Sequence, residues 1–172
     1  MRTSMLGLMA VTIAAGTCFG QADPLKFYKL DFVVKEVEGT KVLNSRSYSM
    51  IVPAVLPGQQ NTQEGGGSIR TTSRVPLSNN GLSANSYNYG DIGVNIDCRA
   101  LHEIQPSDLS VYITADINST SNEPNLPAPV TRSNRWSSLV IVPLKKPTVV
   151  YASDDATSKR QLQLELTATP VH

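Results

Sequence analysis

Leu109-Ser110-Val111-Tyr112-Ile113-Thr114-Ala115-Asp116-Ile117 sets an apolar side chain at every second residue, with Ser, Tyr, Thr and Asp between. Successive residues of an extended chain point to opposite faces, so this period of two predicts a strand with one buried and one wetted side. The pattern continues outward in both directions. Ile92, Val94, Ile96 and Cys98 alternate with Gly93, Asn95, Asp97 and Arg99, predicting a strand over Ile92–Ala100 with Cys98 on the buried face. Tyr28, Leu30, Phe32 and Val34 alternate with Lys29, Asp31 and Lys35. A turn at Glu38-Gly39-Thr40 then returns the chain into Val42–Val52, where Tyr48, Met50 and Val52 share a face, and the two segments predict a hairpin. Ile69–Val75 predicts a shorter strand. Trp136–Val142 and Thr148–Ala152 are near-continuous apolar runs, the pattern of strands covered on both faces. Leu162, Leu164, Leu166 and Ala168 against Gln161, Gln163, Glu165 and Thr167 close the series. The predicted fold class is all-β: an antiparallel, two-sheet, sandwich-like domain of about eight strands.

The connections carry turn chemistry. Pro53–Ser68 holds two prolines and a glycine triplet without periodicity, so a flexible loop is expected there. Asn79-Asn80-Gly81 contains the Asn-Gly pair that accepts positive φ in a tight turn. Asn118–Thr131 contains three prolines and is expected to end the flanking strands at Ile117 and near Arg135. Pro143–Pro147 predicts a short turn. No fixed-period repeat and no linker divides the chain.

Composition removes several function classes. The 172 residues hold 15 Lys and Arg against 14 Asp and Glu, a net charge of +1, which is no electrostatic footprint for nucleic acid. Charged residues are 17% of the chain, which argues against a coiled coil. Two cysteines cannot build the multi-bridge framework of a small disulfide scaffold.

The N-terminus reads as a targeting segment. Arg2 precedes the uncharged, largely apolar Leu6–Thr17, and small residues follow up to Ala22. That order is the one of a secretory signal peptide, and the run is too short to span a bilayer as a helix. Cleavage before Asp23 assigns 1–22 to the signal peptide and 23–172 to a single β domain. It leaves a chain of balanced charge with Cys98 as its one thiol. Ala15-Gly16-Thr17-Cys18 loosely resembles a bacterial lipoprotein box, with Ala for Leu and Thr before the cysteine as departures.

Candidate chemistry is sparse. His102 follows the Cys98 strand in an expected loop, and neither it nor His172 has a second ligand at metal spacing. No nucleophile elbow or Walker loop occurs. Adjacent Asp154 and Asp155 point apart on a turn, whereas glycoside hydrolysis needs two convergent carboxyls. Asn118-Ser119-Thr120 matches a glycosylation sequon. Trp136 is the sole tryptophan and opens an apolar run, which predicts a core role over a ligand anchor. No catalytic, cofactor-binding or metal-ligating residue is assigned, and no cofactor is expected.

From Ser68 onward an ordered series of motifs resembles the C-terminal pore domain of the secretins, the outer-membrane ring proteins of type II and III secretion and type IV pilus systems. Ser68-Ile69-Arg70 with Arg74-Val75-Pro76 resembles the strand that ends in Val-Pro. Tyr89-Gly90-Asp91-Ile92-Gly93-Val94-Asn95-Ile96 resembles the Tyr-x-Asp-Val-Gly-x-x-Leu strand, the most specific piece. Leu109–Ile117 corresponds to the alternating strand after it. Pro129-Val130-Thr131-Arg132 with Ser137–Val142 resembles the Pro-Ile-x-x-Arg segment and its Val-rich strand. Thr148-Val149-Val150-Tyr151 resembles Thr-Val-Val-Ile, and Leu164–Pro170 resembles the terminal Leu-x-Ile-x-x-Thr-Pro. The secretin-like region is thus 68–170. Two departures stand out: Ser153-Asp154-Asp155 replaces a Gly-Gly pair, and Ala156–Lys159 replaces a longer Pro-rich segment.

The resemblance implies secretin-like topology in a small soluble relative of the pore domain, because the alternating strands put Asp, Asn, Arg and Gln on the side a lipid-facing band would occupy. It implies an exported, non-enzymatic envelope protein, periplasmic or outer-membrane associated. Such a protein acts through a protein partner or as a homo-oligomer, as an accessory to secretion or pilus machinery, with no nucleic-acid partner. The expected route is β-augmentation at a free edge, either the terminal strand Gln161–Thr169 or the hairpin Tyr28–Val52. Two alternatives belong to other classes. One is a stand-alone binding module for a glycan or small ligand near Trp136; the other is an enzyme, which requires His102 and a carboxylate to converge.

Overall fold

The structure, a computed structural model, describes residues 25–55, 66–77, 88–121, 130–156 and 158–171. The predicted signal peptide with Cys18, most of the Pro53–Ser68 connection and the Asn79-Asn80-Gly81 turn lie outside them.

Among the described residues the chain forms eight strands: β1 (Phe27–Glu38), β2 (Lys41–Pro53), β3 (Gly67–Leu77), β4 (Asn88–Gln105), β5 (Asp108–Ser121), β6 (Val130–Pro143), β7 (Thr148–Asp154) and β8 (Arg160–Val171). They make two antiparallel sheets of four, in the order β2-β1-β8-β7 and β3-β4-β5-β6. This is the all-β two-sheet domain that the period of two predicts. β1 and β2 form the expected hairpin, turning at Gly39, whose φ of 59° suits a residue without a side chain.

The core lies between the sheets. Tyr28, Leu30, Phe32 and Val34 of β1 and Leu164, Leu166 and Ala168 of β8 face Val94, Ile96 and Cys98 of β4 and the alternating Leu109–Ile117 side chains of β5. The chain crosses from the first sheet to the second after β2. There the Ala54 amide donates to Lys26 O and the Val55 amide to Leu101 O, both at 2.8 Å. It crosses back after β6, where Leu144 bridges to Ala168 and the Lys145 amide donates to Ala168 O at 2.7 Å.

The structure corrects four expectations. First, Trp136–Val142 and Thr148–Ala152 are not covered on both faces. β6 and β7 are the last strands of their sheets, and their outward residues Leu139 and Ile141 (60% exposed each) and Val149 (50%) remain in contact with water. Second, the terminal strand is no edge. β8 pairs with β1 along its whole length from Phe27↔Val171 to Glu38↔Arg160, and with β7 on its other side, so of the two proposed edges only β2 is outermost. Third, β5 continues to Ser121 and β6 begins at Val130, because the backbone ladder persists after the apolar alternation stops. Fourth, β4 runs past Ala100. A register shift between Arg99 and His102, with Ala100 at φ 54°, carries His102 onto the strand opposite Ser110.

Candidate interaction surface and inter-sheet cleft

Each sheet leaves two outermost strands, and the sandwich gathers them on two flanks. On one flank β2 lies against β3: a Cβ placed on Gly67 would stand 2.7 Å from both Met50 Sδ and Val52 Cγ1. On the other, β6 lies against β7. Trp136 and Tyr151 meet there with ring centroids 5.5 Å apart, and the Arg132 guanidinium binds Asp155 at 2.7 Å. Trp136 is therefore packed on the core, as expected from the run it opens.

Because four antiparallel strands alternate in direction, the first and last strands of each sheet run oppositely. A second copy set beside the first in the same orientation would bring β7 against β2 and β6 against β3, each pair antiparallel. Such edges present unpaired amides and carbonyls and are templates for strand addition. β6 is 14 residues long and carries exposed Leu139 and Ile141.

At one end of the sandwich the inward positions change from apolar to charged, and a cleft of about 550 Å³ opens between the sheets. Val34, Ile92, Val94, Ile117 and Leu162 form its apolar floor, and Glu36, Arg46, Arg132, Asp154, Asp155 and Arg160 its charged rim. Arg132 and Asp155, 20% and 13% exposed, tie β6 to the end of β7. Arg160 binds Glu36 across β8 and β1 at 3.1 Å. Asp154 closes β7 and accepts a hydrogen bond from Gln161 Nε2 at 2.8 Å, so Asp154 and Asp155 serve different partners. The sequence contains the signal for this rim, since Glu36, Arg132 and Arg160 appear when the period of two is carried past Val34, Trp136 and Leu162.

The opposite end is closed by a polar cluster. Lys26 Nζ and the Tyr28 hydroxyl both donate to the Glu103 carboxylate. The bond from Lys26, then that from Tyr28, hold the Glu103 carboxyl below its ordinary range against a smaller effect of burial. Desolvation first, then the Glu103 carboxylate, raises the Tyr28 phenol. His102 is exposed beside this cluster. Cys98 is 3% exposed, on the buried face as expected; burial and the neighbouring Asp97 charge push its thiol up to about 12.

The outer face of the second sheet carries cross-strand pairs: Arg74 with Asp91 (3.2 Å), Arg70 with Asp97 (2.6 Å) and Arg135 with Asp116 (2.8 Å). Arg99 lies over the Tyr112 ring, 4.7 Å from its centroid. The Asn118-Ser119-Thr120 sequon lies near the end of β5, at the cleft.

No family model matches the chain, and no curated protein matches it. Solved structures do. The fold is similar to that of secretins. The type II secretin GspD of enteropathogenic Escherichia coli matches 87% of this chain and 70% of its own, at 6% identity and a TM-score of 0.47. The type III injectisome secretin InvG of Salmonella matches 86% of this chain at 8% identity and a TM-score of 0.42, and the type II secretin XcpQ of Pseudomonas aeruginosa 86% at 10% and 0.38. This chain spans 64% and 57% of the latter two, less than two thirds of either.

Proposed function

We propose that this chain is an exported, non-enzymatic envelope protein, periplasmic or outer-membrane associated, that works by edge-to-edge self-assembly as an accessory to secretion or pilus machinery. The observation that carries the reading is the direction and placement of the outermost strands. Opposite strand directions on opposite flanks let both sheets continue at once into a second copy, in a head-to-tail contact that repeats. The exposed apolar pair on β6 adds burial to the backbone pairing. The ordered motifs over 68–170 support the link to secretion.

Light scattering of the chain from Asp23 onward, over a wide concentration range, tests this. Association that weakens in Leu139→Lys and Ile141→Lys is expected; a strict monomer at every concentration would overturn the reading. Cell fractionation tests export.

A second reading, a stand-alone module for a glycan or small ligand, is supported by the cleft. It draws on the charged rim and apolar floor, while Trp136 packs against Tyr151. Isothermal calorimetry with soluble glycans checks it, and a loss of heat in Arg160→Gln would favour it.

A further inference from the structure

We propose that the inter-sheet cleft binds a medium-chain aliphatic carboxylate, its chain on the apolar floor and its head group on Arg46, an inference that rests on the small-ligand reading above and needs no second copy. The volume of about 550 Å³ lies within the range of small-molecule pockets, about 300–1,000 Å³.

The floor selects the body of the ligand. Val34, Val94, Ile117 and Leu162 come from the four inner strands, and each has a ladder partner on both sides: Val34 between Arg46 and Leu164, Val94 between Thr71 and Ile117, Ile117 between Val94 and Asn134, Leu162 between Glu36 and Ser153. Their amides and carbonyls are thus already engaged within the sheets. A sugar or peptide laid on this floor would bury hydroxyls or amides without partners, whereas a polymethylene chain has none to satisfy.

The rim selects the head group. Arg46 stands opposite Val34 and Glu36 opposite Leu162, so both share the inward phase of the floor. Asp154 does not. It pairs with Gln161, one residue out of phase with the inward Ser153–Leu162 pair, and its carboxylate accepts the Gln161 amide there. Among the described residues, the charges facing the cleft are therefore the guanidiniums of Arg46, Arg132 and Arg160 and the carboxylates of Glu36 and Asp155. Arg132 is joined to Asp155 and Arg160 to Glu36, while Arg46 makes no ion pair among the described residues. The surplus is one positive charge, beside Val34. A carboxylate taken there by two parallel guanidinium hydrogen bonds neutralises it and leaves the attached chain over Val34 and Leu162. Asn44, two residues along β2 on the same face, also lines the cleft and brings an amide to the same head group.

Isothermal calorimetry on the purified chain is the test, with decanoate, acetate (the head without the chain) and decyl glucoside (the chain without the charge), all below micelle-forming concentrations. Decanoate is expected to bind one per chain, decyl glucoside about tenfold more weakly or less, and acetate not at all. Arg46→Gln should weaken decanoate about tenfold and leave decyl glucoside unchanged. Leu162→Asn should weaken both, with far-ultraviolet circular dichroism checking its fold. Decanoate binding that Arg46→Gln does not alter overturns the proposal. So does an apolar peptide that binds more tightly than decanoate and is lost on amidation of its C-terminus, which assigns the cleft to a chain terminus. If soluble glycans bind and decanoate does not, the small-ligand reading stands and the carboxylate is overturned. If neither glycans nor any of the three probes binds, the small-ligand reading falls with it.

Discussion

Trp136 and Tyr151 meet at a ring separation of 5.5 Å with planes inclined by 32°, although they belong to strands of different sheets. Their contact closes the core along the flank where, among the described residues, neither sheet has a further strand, beside the Arg132–Asp155 bridge. Trp136→Ala removes a half-buried indole and this contact, and should cost about 2–3 kcal/mol, with Trp136→Phe recovering much of it. Urea unfolding followed by circular dichroism measures both.

Gly93 and Gly39 predict contrasting alanine variants. Gly93 has φ 151°, and a Cβ there would lie 1.9 Å from the Thr71 carbonyl oxygen on the neighbouring strand. That atom is backbone and cannot move without parting β3 from β4. Gly93→Ala should therefore destabilise by about 3 kcal/mol or more, through strain and overpacking together. At Gly39, φ is 59° with nothing within 4 Å of the added carbon, so Gly39→Ala should cost only about 1 kcal/mol. Equal losses in chemical denaturation would contradict the close approach at Gly93.

Acid should loosen the end of the sandwich that Glu103 holds. The Lys26 and Tyr28 hydrogen bonds keep the folded-state carboxyl below its unfolded value. The contribution is therefore fully present above the ordinary glutamate range near pH 4.3, and it is lost as pH falls through the lowered folded value. Asp31 adds to the same window: burial raises its pKa, but the Ser49 and Lys29 hydrogen bonds and the Lys29 charge outweigh it and leave it lowered. Thermal melts of wild type and Glu103→Gln between pH 7 and 3 should converge at low pH, and parallel curves would refute the role.

Alkali acts on Cys98. Its folded-state pKa stands at about 12, above the ordinary value of 9.0, with burial the larger cause and the Asp97 charge the second. Stability from the buried neutral thiol is complete below that ordinary value and declines as pH rises toward 12. At pH 8 a thiol reagent should label the folded chain at the rate of its unfolding and the denatured chain at once. Rapid labelling of the native protein would show that the β4 face is open.

The strands were legible wherever the two faces differ chemically, as along Tyr28–Val34, Leu109–Ile117 and Leu162–Ala168. Trp136–Val142 was misread because an apolar run looks the same whether its second face is covered or merely exposed. Only the position of β6 in the sheet separates the two cases. Position was the illegible quantity: β1 meets β8 across nearly the full length of the chain, and no local pattern of Phe27–Glu38 or Arg160–Val171 announces the pairing. The ends of β5 and β6 escaped for a different reason. Asn118-Ser119-Thr120 and Val130-Thr131-Arg132 are held by backbone hydrogen bonds that side-chain periodicity does not record. The cleft rim lay within reach, since Glu36, Arg132 and Arg160 occupy the inward phase of strands already recognised.

Having an even number of strands in each sheet constrains how a chain of this kind could grow or shrink. Adding or deleting a whole hairpin preserves the opposed polarity of the two flanks, and with it the antiparallel junction that the proposed self-assembly needs. Adding one strand to either sheet would turn the outermost pair parallel and remove that junction from the proposed assembly.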